Sequence, residues 1–317
     1  MPSSAVPFRH PSEAHMTRVL NLDAPPDALT FKRIKRRRPA IWVANAAVVL
    51  FVAMMATTVL TNPRFEWGTV SRYFFEIRIL QGIGVSLGMT AVTMLLSLVL
   101  GTVVALMRMG QARLMSAAAA GFIWVFRSIP MLVQLLFWYN LAALFPTLSV
   151  GIPWGPQFAT FDSNSLIGPL TAAVVGLTLH ETAYIAELIR SGLLSVPDGQ
   201  RQAAAALGLT PAQTFFRVSL PQALRIIVPP MGNELISLLK ATSLVSVISL
   251  ADLLYSVQLI YAKNFQTVPL LIVAAIWYMV ITGVLTVGQQ RLERRLSRHT
   301  LARTQKSASP KRIENSL

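Results

Sequence analysis

The stretch QAAAALGLTPAQTFFRVSLP, Gln202–Pro221, sits between two runs apolar enough to be membrane spans, and its reading decides what kind of membrane protein this is. Four consecutive alanines favour helix and present a surface of low relief. Gly208 then permits a turn that other residues would strain. Leu209, Pro211 and Phe215 open a second short helix with an apolar face, and Leu220-Pro221 is expected to end it before the chain enters the membrane. A small, smooth helical element of this kind suits insertion into a groove on a partner protein. An amphipathic connector lying on lipid headgroups fits the same composition, so the surroundings must discriminate.

Of the 317 residues, 54% are hydrophobic and only 13% charged, and the mean hydropathy is +0.55. That is too apolar for a soluble globular chain. The fold class is all-α integral membrane, because apolar runs of about 20 residues cross a hydrocarbon core of roughly 30 Å as helix. Six spans are expected near 40–61, 81–107, 129–145, 167–189, 226–248 and 268–289. The fifth is interrupted by Pro229, Pro230, Glu234 and Lys240, which predicts a shorter helix followed by a re-entrant or interfacial piece. Backbone of that kind survives only under cover of protein or water.

The formal net charge is +15, and its distribution decides what it means. With six spans, both tails share one side with the connectors at 108–127 and 190–225, and these segments hold 23 of the 28 Lys and Arg. Arg64, Arg72, Arg78 and Lys263 are the four on the other side, and Lys240 lies within a span. Positive residues stay cytoplasmic, so both termini are expected inside. The run KRIKRRR at 32–38 is then a topology anchor with affinity for anionic membrane lipid, and no nucleic acid partner is expected. The preceding residues are too many and too polar for a secretory signal, so the first helix should stay attached. Residues 1–31 and the tail after about Arg298 read as disordered.

Several chemistries fail on inspection. Cys is absent, which excludes disulfides, thiolate metal sites and cysteine nucleophiles. HETAY, His180–Tyr184, begins like a zinc-protease motif but has Tyr184 where the second histidine belongs, and the other histidines lie in the tails. GIGVSLG at 82–88 lacks dinucleotide-fingerprint spacing; Gly84 and Gly88 read better as small residues that let helices approach. No G-x-x-x-x-G-K-[ST] loop is present, so ATP hydrolysis by that route belongs to another subunit. A membrane-embedded hydrolase would need a constellation to which only His180 contributes. A secondary amino acid transporter, the alternative transport class, would be expected to carry inverted repeats, and none is convincing.

Ionisable groups deep in a span face a cavity or a partner, because exposure to lipid is costly. His180 and Glu181 in the fourth span therefore either line a pathway or tie helices together through a His-Glu or Glu-Tyr184 contact. Glu187 and Arg190, three apart on one helix face, are expected to form a local ion pair. Lys240 is placed to snorkel towards an interface. Trp124, Trp138 and Tyr139 fit packing or interfacial roles. The Pro/Gly-rich connector at 144–165 is an outside surface or a spacer.

The connector also carries a resemblance. Its pattern resembles the EAA loop of binding-protein-dependent ABC importer permeases, with the matching positions at Gln202, Ala203, Ala204, Gly208, Val218, Leu220 and Pro221. FRSIPMLVQLLFWY at 126–139, AYIAELIRSGLLSVPDGQ at 183–200 and NELISLLKATSLVSVI at 233–248 resemble segments of the polar amino acid subfamily, so the likeness covers about 80–290. It implies a MetI-like permease domain over 80–290 with its coupling loop at 190–225, an added N-terminal helix at 40–61, and basic cytoplasmic tails at 1–39 and 291–317. It further implies a second permease, the same chain or another, and two cytoplasmic ATPase subunits that bind ATP and Mg. A periplasmic or lipid-anchored binding protein is expected to deliver the amino acid. For Asn233, Glu234, Lys240, Thr242 and Ser243 the resemblance favours pathway or gating roles, and His180, Glu181, Tyr184 and Glu187 join them as candidates from their place in the fourth span. One position departs from the pattern: Gln202 stands where the family has an acidic residue, so a salt bridge from that position to the ATPase is unavailable. Glu181, beside a His180 that can be neutral, tilts the expected substrate towards a cationic side chain.

Overall fold

A computed structural model describes residues 39–152 and 155–307, with side chains placed from 41 to 295 apart from 153 and 154. The basic run at 32–38, the expected disorder of 1–31 and the last residues of the C-terminal tail lie outside the described residues. The chain divides into two compact units, Met1–Asn62 and Pro63–Leu317. The first contains α1 (Pro39–Thr61), an apolar helix of membrane-crossing length where the first span is expected.

The second unit is a helical bundle. Its long helices are α3 (Ile77–Met109), α8 (Pro169–Leu194), α11 (Leu220–Ala241) and α13 (Thr267–Ser307), preceded by the short α2 (Trp67–Tyr73). Counting α1, five helices among the described residues are long and apolar enough to cross a membrane. The pair α4 (Arg113–Ser128) and α5 (Met131–Tyr139), bent by 102°, makes a sixth if it is one broken span.

That pair corrects the expected third span at 129–145, and it turns the expected connector at 108–127 into α4 itself. The cause is local: proline forces its predecessor out of the helical region, and Ile129 is extended at φ −92° and ψ 131° just before Pro130. After α5 come α6 (Leu141–Leu144) and an antiparallel hairpin, β1 (Thr147–Gly151) on β2 (Gln157–Asp162), with Thr147 opposite Asp162. The connector expected outside is therefore partly ordered, and α7 (Ser163–Leu166), capped by Asp162, returns the chain to α8.

The connector after α8 forms α9 (Asp198–Ala206) and α10 (Pro211–Thr214). Leu220-Pro221 does not stop the helix, contrary to expectation. Proline removes one backbone donor and clashes with the carbonyl four residues back. The chain absorbs this in a π turn over Phe215–Ser219, with the Leu220 N–H bonding Phe215 O, and continues directly into α11. Pro229 and Pro230 likewise sit inside α11. The fifth span thus starts earlier than 226, and its end at Thr242–Ile248 tightens into a 3-10 turn before α12 (Leu253–Asn264). The sixth span also outruns its expected end at 289, because α13 continues to Ser307. Helix propensity does not require apolarity, and its Gln, Arg, Leu and Glu residues are good helix formers.

The central helix is α8, whose span window is 61% buried against 33% or less for the other four spans. At the connector end, Ile185, Ile189 and Leu193 pack with Ala105 of α3, Ile123 of α4 and Ile227 of α11. Towards its start, Ala172, Ala173 and Leu177 meet Met89, Leu135 and Leu238. Helix association in lipid relies on close packing and hydrogen bonds rather than on a hydrophobic drive, and α3 supplies both. A Cβ on Gly101 would stand 2.8 Å from Ile185 Cγ2, and Ser97 Oγ donates to Thr178 O at 3.0 Å. Gly84 and Gly88 have open space instead, so they are not the close-approach residues; Gly82 is, since its Cβ would lie 2.6 Å from Asp252 O.

Candidate functional site

Two features stand out, the helical connector and a polar seam along α8. In the connector, Gly208 takes φ +77°. The Leu209 N–H bonds Ala204 O at 3.1 Å and the Gly208 N–H bonds Ala205 O at 2.9 Å, the pair of bonds that closes a helix through a left-handed residue. The next turn is fixed by a capping box, with the Gln213 N–H on Thr210 Oγ1 and the Thr210 N–H on Gln213 Oε1. Between these two clamps the chain has little freedom. Ala204 is buried and anchors α9, while Gln202, Ala203, Gly208 and Pro221 are exposed and Val218 and Leu220 are half-buried. Leu207 is 82% exposed at the tip. Asp198, one helical turn before Gln202, pairs with Arg201.

The seam begins at the α4–α5 bend. Gln134 Nε2 donates to Phe126 O and Ile129 O, both at 2.8 Å, and lies 3.0 Å from His180 Nδ1. The His180 ring stands 5.0 Å from that of Tyr184, and the Arg127 guanidinium lies over Tyr184 at 5.1 Å. Further along the same helix, Glu187 accepts two bonds from Arg190, at 2.9 and 2.6 Å, which forms the expected ion pair. Arg108, Arg127, Tyr184, Glu187 and Arg190 line an open cleft of about 510 Å³ between α4 and α8.

Glu181 is 4% exposed, and its Oε1 has no hydrogen-bond partner among the described residues. Its neighbours in that state are Thr93, Thr178, Thr182 and Gln134 Oε1, five of the six such atoms described. Thr178, Glu181 and Thr182 share one face of α8, so three of these oxygens lie on a single interior stripe.

The remaining fifth-span residues make contacts of their own. Asn233 Oδ1 accepts from Gln289 of α13 at 2.9 Å. Thr242 and Ser243 hydroxyls bond the carbonyls of Leu239 and Lys240, both at 2.7 Å, and Lys240 is exposed. Sequence reading missed Arg127 and Gln134, although Gln134 is the one strongly polar residue of MLVQLLFWY. It also missed Asp252, a fully buried N-cap whose carboxylate accepts from the N–H groups of Leu254 and Tyr255 and from Tyr278 OH.

A multi-pass helical bundle with a polar interior stripe and a clamped, protruding helical connector defines a membrane transport component. Residues 97–298 match the family described as binding-protein-dependent transport system inner membrane component, and the chain belongs to that family of ABC permeases. The arginine transport system permease protein ArgU of Corynebacterium glutamicum is 43% identical over 261 residues, covering 81% of this chain and 80% of that protein. The L-cystine transport system permease protein TcyB of Bacillus subtilis is 36% identical over 234 residues, covering 74% and 92%. Among solved structures, an amino acid ABC transporter crystallised with histidines matches with a TM-score of 0.61 and 32% identity, over 71% of this chain and 97% of that one. The expected family and MetI-like helical class therefore hold, and the protein is a multi-pass inner membrane component.

Proposed function

We propose that this permease imports polar amino acids, driven by ATP hydrolysis in separate subunits. The observation that carries the reading is the connector, where Gly208 and the Thr210 capping box hold α9 and α10 as one low-relief element suited to a partner's groove. The arginine and L-cystine relatives support amino acid substrates. On this reading Gln202, Ala203, Ala204, Gly208, Val218, Leu220 and Pro221 form the contact with two cytoplasmic ATPase subunits, which bind ATP and Mg. Both termini are cytoplasmic, a second permease completes the channel, and a periplasmic or lipid-anchored binding protein delivers the substrate. His180, Glu181, Tyr184, Glu187 and Glu234 flank the pathway, and the chain itself catalyses no reaction. On the same reading Asn233, Lys240, Thr242 and Ser243 of the broken fifth span line or gate that pathway as well.

The test is purification from native cells through a tag on this chain, followed by intact-complex mass and reconstitution with ATP inside the vesicles. Uptake of labelled L-arginine, L-glutamine or L-cystine that requires both the binding protein and internal ATP supports the reading. Uptake by this chain alone along an ion gradient overturns it in favour of a secondary transporter.

A further inference from the structure

A second cleft, of about 540 Å³, runs between α3, α11 and α13. Leu98 of α3, Met231 and Leu235 of α11, and Val284 and Leu292 of α13 wall it, and Gln289 and Glu293 are the polar members of its described lining. Val284 and Leu292 are exposed, as are Leu95 and Val99 of α3, so the cleft opens on a surface suited to hydrocarbon rather than to water. Gln289 ties its two longer walls together: Nε2 bonds Pro229 O at 3.1 Å and Asn233 Oδ1 at 2.9 Å on α11, and Glu293 Oε1 at 2.9 Å on its own helix. At the connector end of the same cleft stand arginines. Arg225 falls on the α11 face of Val228, Gly232 and Leu235, and Arg291 and Arg295 fall on the α13 face of Val284, Gly288 and Leu292, at helical spacings of three and four. Arg225 precedes Pro229 by one turn and Arg295 follows Gln289 by less than two, which places them roughly 6 and 9 Å along their helix axes from the Gln289 contact. All three arginines are exposed, and neither ion pair formed among the described residues involves them.

We propose that this cleft binds one anionic phospholipid, with an acyl chain between α3, α11 and α13 and the phosphate seated between Arg225 on one side and Arg291 and Arg295 on the other. Charge and polarity match together along the cleft, apolar over its length and basic at its mouth. The guanidinium fork suits phosphate oxygens, and basic pockets between spans at a membrane surface take acidic headgroups. Positive residues at a span end anchor topology wherever they lie. Here two helices present them on the faces that wall one apolar cleft, whereas Arg294 falls on the opposite face of α13. The lipid joins α11, the direct continuation of the connector, to α13 where both helices leave the apolar layer. The site is separate from the polar seam of α8 and does not depend on what is transported.

The experiment takes the complex purified through a tag on this chain, strips it of lipid with detergent, and offers phosphatidylglycerol or phosphatidylcholine of the same acyl composition, counting retained lipid by intact-complex mass. One phosphatidylglycerol should be retained per copy of this chain, with a preference over phosphatidylcholine of about tenfold or more, as two or three arginines at a membrane surface supply. Arg295→Gln should lower that preference, and the combined Arg225→Gln, Arg291→Gln and Arg295→Gln variant should reduce it to about twofold or less. Leu235→Trp, which fills the cleft, should weaken retention of both lipids. Arg294→Gln removes the same charge from the far face and should leave the preference unchanged. Absence of retained phosphatidylglycerol overturns the site, and is the result expected if a helix of a second permease covers the cleft. Equal retention of the two lipids overturns it as well, as does a preference that survives the combined variant. A loss with Arg294→Gln as large as with Arg295→Gln also overturns it, because the arginines then act as a diffuse charged surface.

Discussion

Gln134 Nε2 lies 3.0 Å from His180 Nδ1 while bonding the carbonyls of Phe126 and Ile129. One side chain thereby closes the open end of α4, braces the bend at Pro130 and stands against the histidine of the central helix. Gln134 is buried, and its bonds to the two carbonyls are partly shielded from solvent. Gln134→Leu should therefore cost about 1–2 kcal/mol through the loss of bonds to two partly buried carbonyls, seen as a lower unfolding temperature of the detergent-purified protein. A melting curve unchanged from wild type would show that the bend holds without the amide.

Gly208→Val should uncouple transport. At φ +77° a β-branched residue is strained by about 1–3 kcal/mol, enough to displace the short α9–α10 element while the spans insert normally. Assembly should persist, and stimulated ATP hydrolysis and uptake should fall together. Wild-type stimulation in an assembled Gly208→Val complex would remove the docking role from this turn.

Gly82 and Gly84 should respond oppositely to alanine. A Cβ at Gly82 meets Ser256 Oγ at 2.5 Å and Asp252 O at 2.6 Å, and the latter is backbone that cannot rotate away, whereas Gly84 has open space. Gly82→Ala should destabilise by about 1–3 kcal/mol as overpacking, and Gly84→Ala should be neutral or slightly stabilising. Relative thermal stabilities in one detergent decide it, and equal effects would contradict the close approach of α3 to α12.

The orientation is checked on the hairpin. Thr160 is exposed on β2 and Gln202 is exposed on α9, and Cys is otherwise absent. A membrane-impermeant thiol reagent added to intact cells should label Thr160→Cys and spare Gln202→Cys, because the basic segments stay inside. The reverse pattern would invert the topology.

Glu181→Gln tests the substrate's side chain. The buried carboxyl is unpaired at Oε1 among the described residues, and on the proposed pathway it favours cationic amino acids. The variant should transport more slowly and lose any ranking of arginine, lysine and histidine above neutral and acidic competitors in uptake. If rate and ranking both persist, Glu181 serves packing only.

What the sequence determined is local in range. Span-length apolar runs, the charge asymmetry and the alanine–glycine–proline spacing of Gln202–Pro221 act over a few turns of chain, and they sufficed for the helical membrane class, the family and the turn at Gly208. The Glu187–Arg190 pair was legible for the same reason, since three residues on a helix are neighbours. Even local signals misled where a second local term competed: Ile129-Pro130 broke the expected third span, and a π turn carried the helix through Pro221. The tertiary structure alone decided which polar groups meet. Gln134 and His180 are 46 residues apart, Asn233 and Gln289 are 56 apart, and Arg127 finds Tyr184 only because α4 packs on α8. Hydropathy places a residue at a depth in the membrane, but the rotation of each helix about its axis follows from close contacts such as Gly82 on Asp252 and Gly101 on Ile185, and those belong to no single stretch of chain.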